Sequence, residues 1–169
     1  MSWLFNGIPL HPLFVHATVV AIPVVALLAL GAGWSNRLRT WLGLVLPVLA
    51  AVTFVATIVT EQAGEALVAQ VAPSAALTTH VEVAEIAGAG AFLLLAVTWW
   101  QWIWYRRAGV ERAGVERAAD SDPARADAGR RGRMATTIAV VETAVAVFAI
   151  VGVVIAGDTG AQAVWAGLL

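Results

Sequence analysis

The sequence predicts an all-α polytopic membrane protein: a bundle of four transmembrane helices with both termini extracellular. Three observations carry this reading. The 169 residues are 60% hydrophobic and only 12% charged, where a soluble domain holds about a quarter charged residues. Four apolar stretches approach or exceed the roughly 20 residues that carry a helix across a hydrocarbon core of about 30 Å. Every basic residue falls in one of two connecting loops. A mean hydropathy of +0.83 suits a chain that lives in lipid. Spans this long must be helical, because lipid offers the backbone no hydrogen-bond partners.

Met1 to Leu10 contain no basic residue, which argues against a cleaved signal peptide; the first apolar stretch is expected to stay in the mature chain. Helix 1 is expected over 12–34. Helix 2 has its apolar part at 41–60 and is expected to continue to 71. Pro23 and Pro47 fall inside these two, where neighbouring helices must cover the freed carbonyls. Pro73-Ser74 breaks the chain. Helix 3 is expected over 79–106, with its apolar part at 86–105, so helices 2 and 3 project past the hydrocarbon as a short hairpin. Residues 108–133 hold a tandem Ala-Gly-Val-Glu-Arg repeat and an Ala/Asp/Arg/Gly segment without an apolar face. They read as a mobile or weakly helical cytoplasmic linker. Helix 4 is expected over 134–157. The whole chain forms one membrane domain.

Arginine sets the orientation. Arg37 and Arg39 lie between helices 1 and 2. Arg106, Arg107, Arg112, Arg117, Arg125, Arg130, Arg131 and Arg133 lie between helices 3 and 4, and there is no lysine. The positive-inside rule puts these two loops in the cytoplasm and everything else outside a bacterial plasma membrane. Trp34, Trp41, Trp99, Trp100, Trp102, Trp104 and Tyr105 mark the inner interface, and Trp3 and Trp165 the outer one. Arg130, Arg131 and Arg133 could hold anionic lipid, but setting topology is the plainer role.

The absence of cysteine excludes disulfides, thiolate metal ligands, iron–sulfur ligation and a cysteine nucleophile. All three histidines fall at the outer end of the predicted bundle: His11 and His16 on helix 1, His80 on helix 3. Glu61 and Glu65 on helix 2, Glu82 and Glu85 on helix 3 and Asp158 on helix 4 join them. Each also has a purely structural explanation. His11 precedes Pro12 and could cap helix 1. Thr79-His80-Val81-Glu82 fits a capping box, the role preferred for Glu82. Glu61 and Glu65 could be solvated carboxylates one turn apart, and Asp158 a turn residue. Two residues sit deeper. His16 lies about 6 Å below its helix start, and Glu142 about 12 Å from the inner end. An acid at that depth must be protonated, paired or facing a polar cavity, and it is too far from the histidines to share a site with them.

The expected site joins His16, His80, Glu61, Glu65 and Glu85, with His11 and Asp158 at its rim. His11 and His16 are five residues apart, about 140° around a helix, and the deeper His16 is the better ligand candidate. Imidazole with carboxylate suits zinc, iron, manganese or copper(II); haem b held by His16 and His80 is the variant reading. The competing reading is a structural or accessory subunit of a larger membrane complex, or a homo-oligomer, in which Gly88-Ala89-Gly90 allows close helix contact. A transporter has little to work with besides Glu142. No nucleophile–base pair is visible, so a stand-alone enzyme is not expected, nor is a nucleic-acid partner.

Four motifs span nearly the whole chain: His11-Pro12-Leu13-Phe14-Val15-His16, Thr60-Glu61-Gln62-Ala63-Gly64-Glu65-Ala66-Leu67, His80-Val81-Glu82-Val83-Ala84-Glu85 and Gly157-Asp158-Thr159-Gly160-Ala161-Gln162-Ala163-Val164-Trp165. In this order they resemble the bacterial four-helix membrane domains of the domain-of-unknown-function 2231 family. The chain departs at Ala17-Thr18, where the family tends to continue Phe-Pro, and at Asp158, which family members replace by His. Related domains occur joined to Rieske or cytochrome-like modules, so the resemblance implies a respiratory or redox neighbourhood.

Overall fold

Alanine and glycine decide how closely the helices of this chain approach one another. The computed structural model describes residues 3–5, 8–115 and 123–165. Among them are five helices and one small antiparallel pair, β1 (Leu4–Phe5) with β2 (Ile8–Pro9). Helix α1 spans Leu10–Trp34, α2 Asn36–Leu42, α3 Val45–Val68, α4 Ala75–Val115 and α5 Pro123–Trp165. The four long helices are apolar and long enough to cross a membrane.

The boundaries differ from the sequence reading at several places. Helix α1 starts two residues before Pro12, so the proline sits in the first turn, where an N–H has no helical acceptor, and His11 is already helical. The helix expected from 41 is split. Ser35 caps α2 by accepting from the Leu38 amide at 3.3 Å, and α2 stops at Gly43, whose φ is 49°, a conformation that glycine adopts freely. Helix α3 then begins at Val45 and keeps Pro47 in its own first turn. It ends at Val68, past Glu65 but short of 71.

Helix α4 begins at Ala75 rather than at Thr79. Ser74 is the cap: its Oγ accepts from the Leu77 amide at 3.2 Å, and its carbonyl from the Thr78 amide at 3.1 Å. Thr79 is inside the helix, with its hydroxyl on the Ala75 carbonyl. The expected capping box at Thr79–Glu82 is therefore corrected, because Ser74 supplies a capping oxygen earlier. Exposed Glu82 borders an apolar pocket with Val71, Pro73 and Leu77 instead. Helices α4 and α5 both run into the expected 108–133 linker, to Val115 and from Pro123; 116–122 lie outside the described residues. At the other end α5 passes the expected stop at 157 and reaches Trp165.

Helix α1 packs on α3 and α5, and α4 packs on the same two, while α1 and α4 meet little across the diagonal. This is the up-down arrangement that short connections favour. The register of α4 against α5 can be read from three pairs. His80 meets Thr159; seven residues inward, Ala87 meets Gly152; three further, Gly90 meets Ala149. Equal steps in opposite directions are the mark of an antiparallel pair. A Cβ built on Gly90 would lie 2.9 Å from the Ala149 Cα, and one on Gly33 3.2 Å from the Ala139 Cα. The helices therefore touch backbone to backbone, as small residues allow in lipid. Ala26, Ala29, Ala32, Ala146 and Ala149 are fully buried, with Ile22, Leu46 and Leu94 filling the spaces between them. Leu13, Val20, Leu27, Val52, Val55, Val147 and Val154 point outward, as a lipid-facing surface requires.

Candidate functional site at the histidine end

The buried stripe of α1 runs through Thr18, Ile22, Val25 and Ala29. His11 lies seven residues before Thr18, two turns back on the same stripe. It is half-buried, and its Nδ1–H donates to the Thr60 carbonyl of α3 at 2.9 Å. A carbonyl only accepts, so Nδ1 carries the proton of this bond, and Nε2 is the nitrogen whose lone pair a ligand could use. His16 falls on the outward stripe with Leu13 and Val20, is exposed, and bonds the Pro12 carbonyl of its own helix at 2.6 Å. The two histidines thus exchange the roles expected from sequence, because His11 shares the buried stripe of Thr18 and Ile22 whereas His16 shares the outward stripe of Leu13 and Val20.

His80 of α4 is half-buried against α5. The Thr159 hydroxyl donates to the carbonyls of Ile155 and Ala156, which leaves its oxygen to accept from His80 Nδ1–H at 3.3 Å. His80, like His11, therefore holds Nε2 free of its anchoring bond. The histidine close enough to interact electrostatically with His80 is His11; exposed His16, the partner in the expected haem pair, is turned onto its own helix.

Glu61 is half-buried on α3, next to Thr60, and feels the charges of Glu65 and Glu85. Glu65 and Glu85 themselves are exposed. Asp158 is exposed too and accepts from Gln162 Nε2 at 2.9 Å along its own helix, so it is not the turn residue that the glycines around it suggested. Among the described residues no three His, Asp or Glu side chains stand close enough to hold one ion as placed. Two pairings are present at this end of the bundle: His11 acts on His80, and Glu61 is acted on by Glu65 and Glu85.

Sequence reasoning named Gly88 only for close helix contact and missed that Gly64, Gly88 and Gly160 make room for these groups. The His11 ring lies on Gly64 of α3: a Cβ there would be 2.9 Å from its Cε1. The Glu61 carboxylate lies directly on Gly88 of α4. The His80 ring lies on Gly160 of α5, 3.0 Å from where a Cβ would stand. Each polar side chain thus occupies a notch in the next helix of the ring, from α1 to α3 to α4 to α5. The signal was present in Glu-x-x-Gly-Glu and Gly-Asp-Thr-Gly, where the carboxylates drew attention and the glycines did the accommodating.

No family model matches the chain, and no curated protein or solved structure is similar enough to compare with it. The site must be judged on its own chemistry.

Proposed function

We propose that this small membrane protein binds a transition metal at its outward end, through Nε2 of His11 and of His80 with Glu61 as the carboxylate donor. The observation that supports this is the anchoring of both rings by Nδ1–H. Metal-binding histidines characteristically donate one ring N–H to a carbonyl or similar acceptor, which fixes the tautomer and presents the other nitrogen. The helices that carry the two rings, α1 and α4, are diagonal in the bundle, so an ion between them would tie all four helices through the anchors on α3 and α5. Zinc, iron, manganese or copper(II) ions and a haem iron share this imidazole chemistry. A metal would supply Lewis-acid or electron-transfer chemistry; the chain itself supplies orientation, through the Thr60 carbonyl and the Thr159 hydroxyl. The resemblance stated above adds the redox or respiratory setting.

Purified protein should carry stoichiometric metal that His11→Ala or His80→Ala removes and His16→Ala leaves in place. A Soret band assigns the metal to haem, and metal content without one assigns a bare ion. Metal-free protein that does not take up zinc, iron, manganese, copper or haem sinks the proposal.

A second reading has its own support. Seating three polar groups in glycine notches of neighbouring helices is what a structural subunit needs to fix its packing. An accessory component of a larger membrane complex would show wild-type metal content in all three variants but lose stability in His11→Ala and His80→Ala.

A further inference from the structure

At the opposite end of the bundle one acid is sealed inside. Glu142 of α5 has 0% exposure. Its Oε2 accepts from Gln101 Nε2 of α4 at 2.8 Å, and its carboxyl rests on Gly33 of α1. Its Oε1 is buried with no partner. Beside it Arg39 of α2 spans the inner end of α1, donating to the Ala32 carbonyl at 3.0 Å and to Asn36 Oδ1 at 2.9 Å. The guanidinium lies over the Tyr105 ring at 3.6 Å. Arg39 is the charge that acts on Glu142, and Tyr105 the titratable group of α4 that does so. The histidines of α1 and the acids of α3 lie at the other end of their helices.

A carboxylate stripped of water and given one amide donor is costly, whereas a neutral acid in the same place costs far less. We propose that Glu142 is a proton-binding site in the inner half of the membrane, with Arg39 as its gate. In the arrangement seen, the acid holds its proton on Oε1 and Arg39 rests on the end of α1. When the proton leaves to cytoplasmic water, the anion draws Arg39 off the Ala32 carbonyl and onto Oε1. That movement releases α2 from α1 and disturbs the Trp34 indole, which donates to Thr143 Oγ1 at 3.0 Å, one residue from the acid.

Infrared spectroscopy of the full chain in nanodiscs tests this. At neutral pH a carboxylic-acid carbonyl band is expected, absent in Glu142→Gln and lost on titration to alkaline pH together with a change in Trp34 fluorescence. Gln101→Leu keeps the acid but removes its donor, and should move the band to higher frequency; this assigns the band even if Glu142→Gln fails to fold. Arg39→Gln should preserve the band at least one pH unit further, a tenfold change in proton affinity. The proposal is overturned if no band responds to Glu142→Gln or Gln101→Leu, or if the wild type and Arg39→Gln lose it at the same pH.

Discussion

A glycine contributes to this protein by what it lets its neighbour do. Gly88 leaves space that the Glu61 carboxylate fills, and Gly64 leaves space for the His11 ring. Adding a methyl group at Gly88 should cost about 1 kcal/mol, the low end for overpacking because the flexible Glu61 carboxylate can swing aside, read as a lower thermal midpoint of the detergent-solubilised protein. Gly157, three residues before the His80 notch, has no atom within 4 Å of an added Cβ. There the same change should stabilise by up to about 1 kcal/mol, since alanine is the better helix former. Equal effects at the two positions would refute the notch. The histidines show how far single residues were legible. Their spacing correctly said that His11 and His16 face different ways. Which one faces inward depended on which stripe of α1 packs on its neighbours, and a helix that is apolar all round does not announce that stripe.

Helix ends were the harder part of the sequence, and the physical reason is that several residues compete for each one. Pro73-Ser74 announced a break, but Ser74 and Thr79 are both good caps, and the earlier one took the role. Replacing Ser74 by Ala should destabilise by about 1 kcal/mol, while Thr79→Ala should be close to neutral; the reverse order in unfolding experiments would contradict the capping bond. Gly43 interrupts a run that reads as continuous from Trp41, because a lone glycine in an apolar stretch gives no warning that its φ is positive. Gly43→Ala should cost about 1–2 kcal/mol and loosen α2. The presence of four apolar spanning helices, by contrast, was legible, since four spans separated by charge and proline leave few alternatives.

For the whole molecule, the distribution of arginine predicts the side of the membrane on which each end works. A cysteine in place of Ala72, in the exposed turn between α3 and α4, should react with a membrane-impermeant maleimide added to intact cells. One in place of Gly114 should be protected until the membrane is permeabilised. The opposite pattern would turn the histidine cluster toward the cytoplasm and Glu142 toward the outside, and both functional proposals would change sides with it. The two polar centres themselves were unequally legible. Gathering histidines and acids at one end follows from sequence alone. The meeting of Gln101, Arg39 and Glu142 needs the register of three helices, which no local pattern carries.

At the histidine end the notches run one way round the bundle, each polar side chain reaching forward to the next long helix in chain order. Such an arrangement links distant positions in pairs: 11 with 64, 61 with 88, 80 with 160. A drift at one member leaves a hole or a clash that only the other can repair. Over evolutionary time these positions should change together or not at all, so that a relative with alanine at the Gly88 position carries a shorter side chain at that of Glu61. The history of the sequence then becomes a test of its packing.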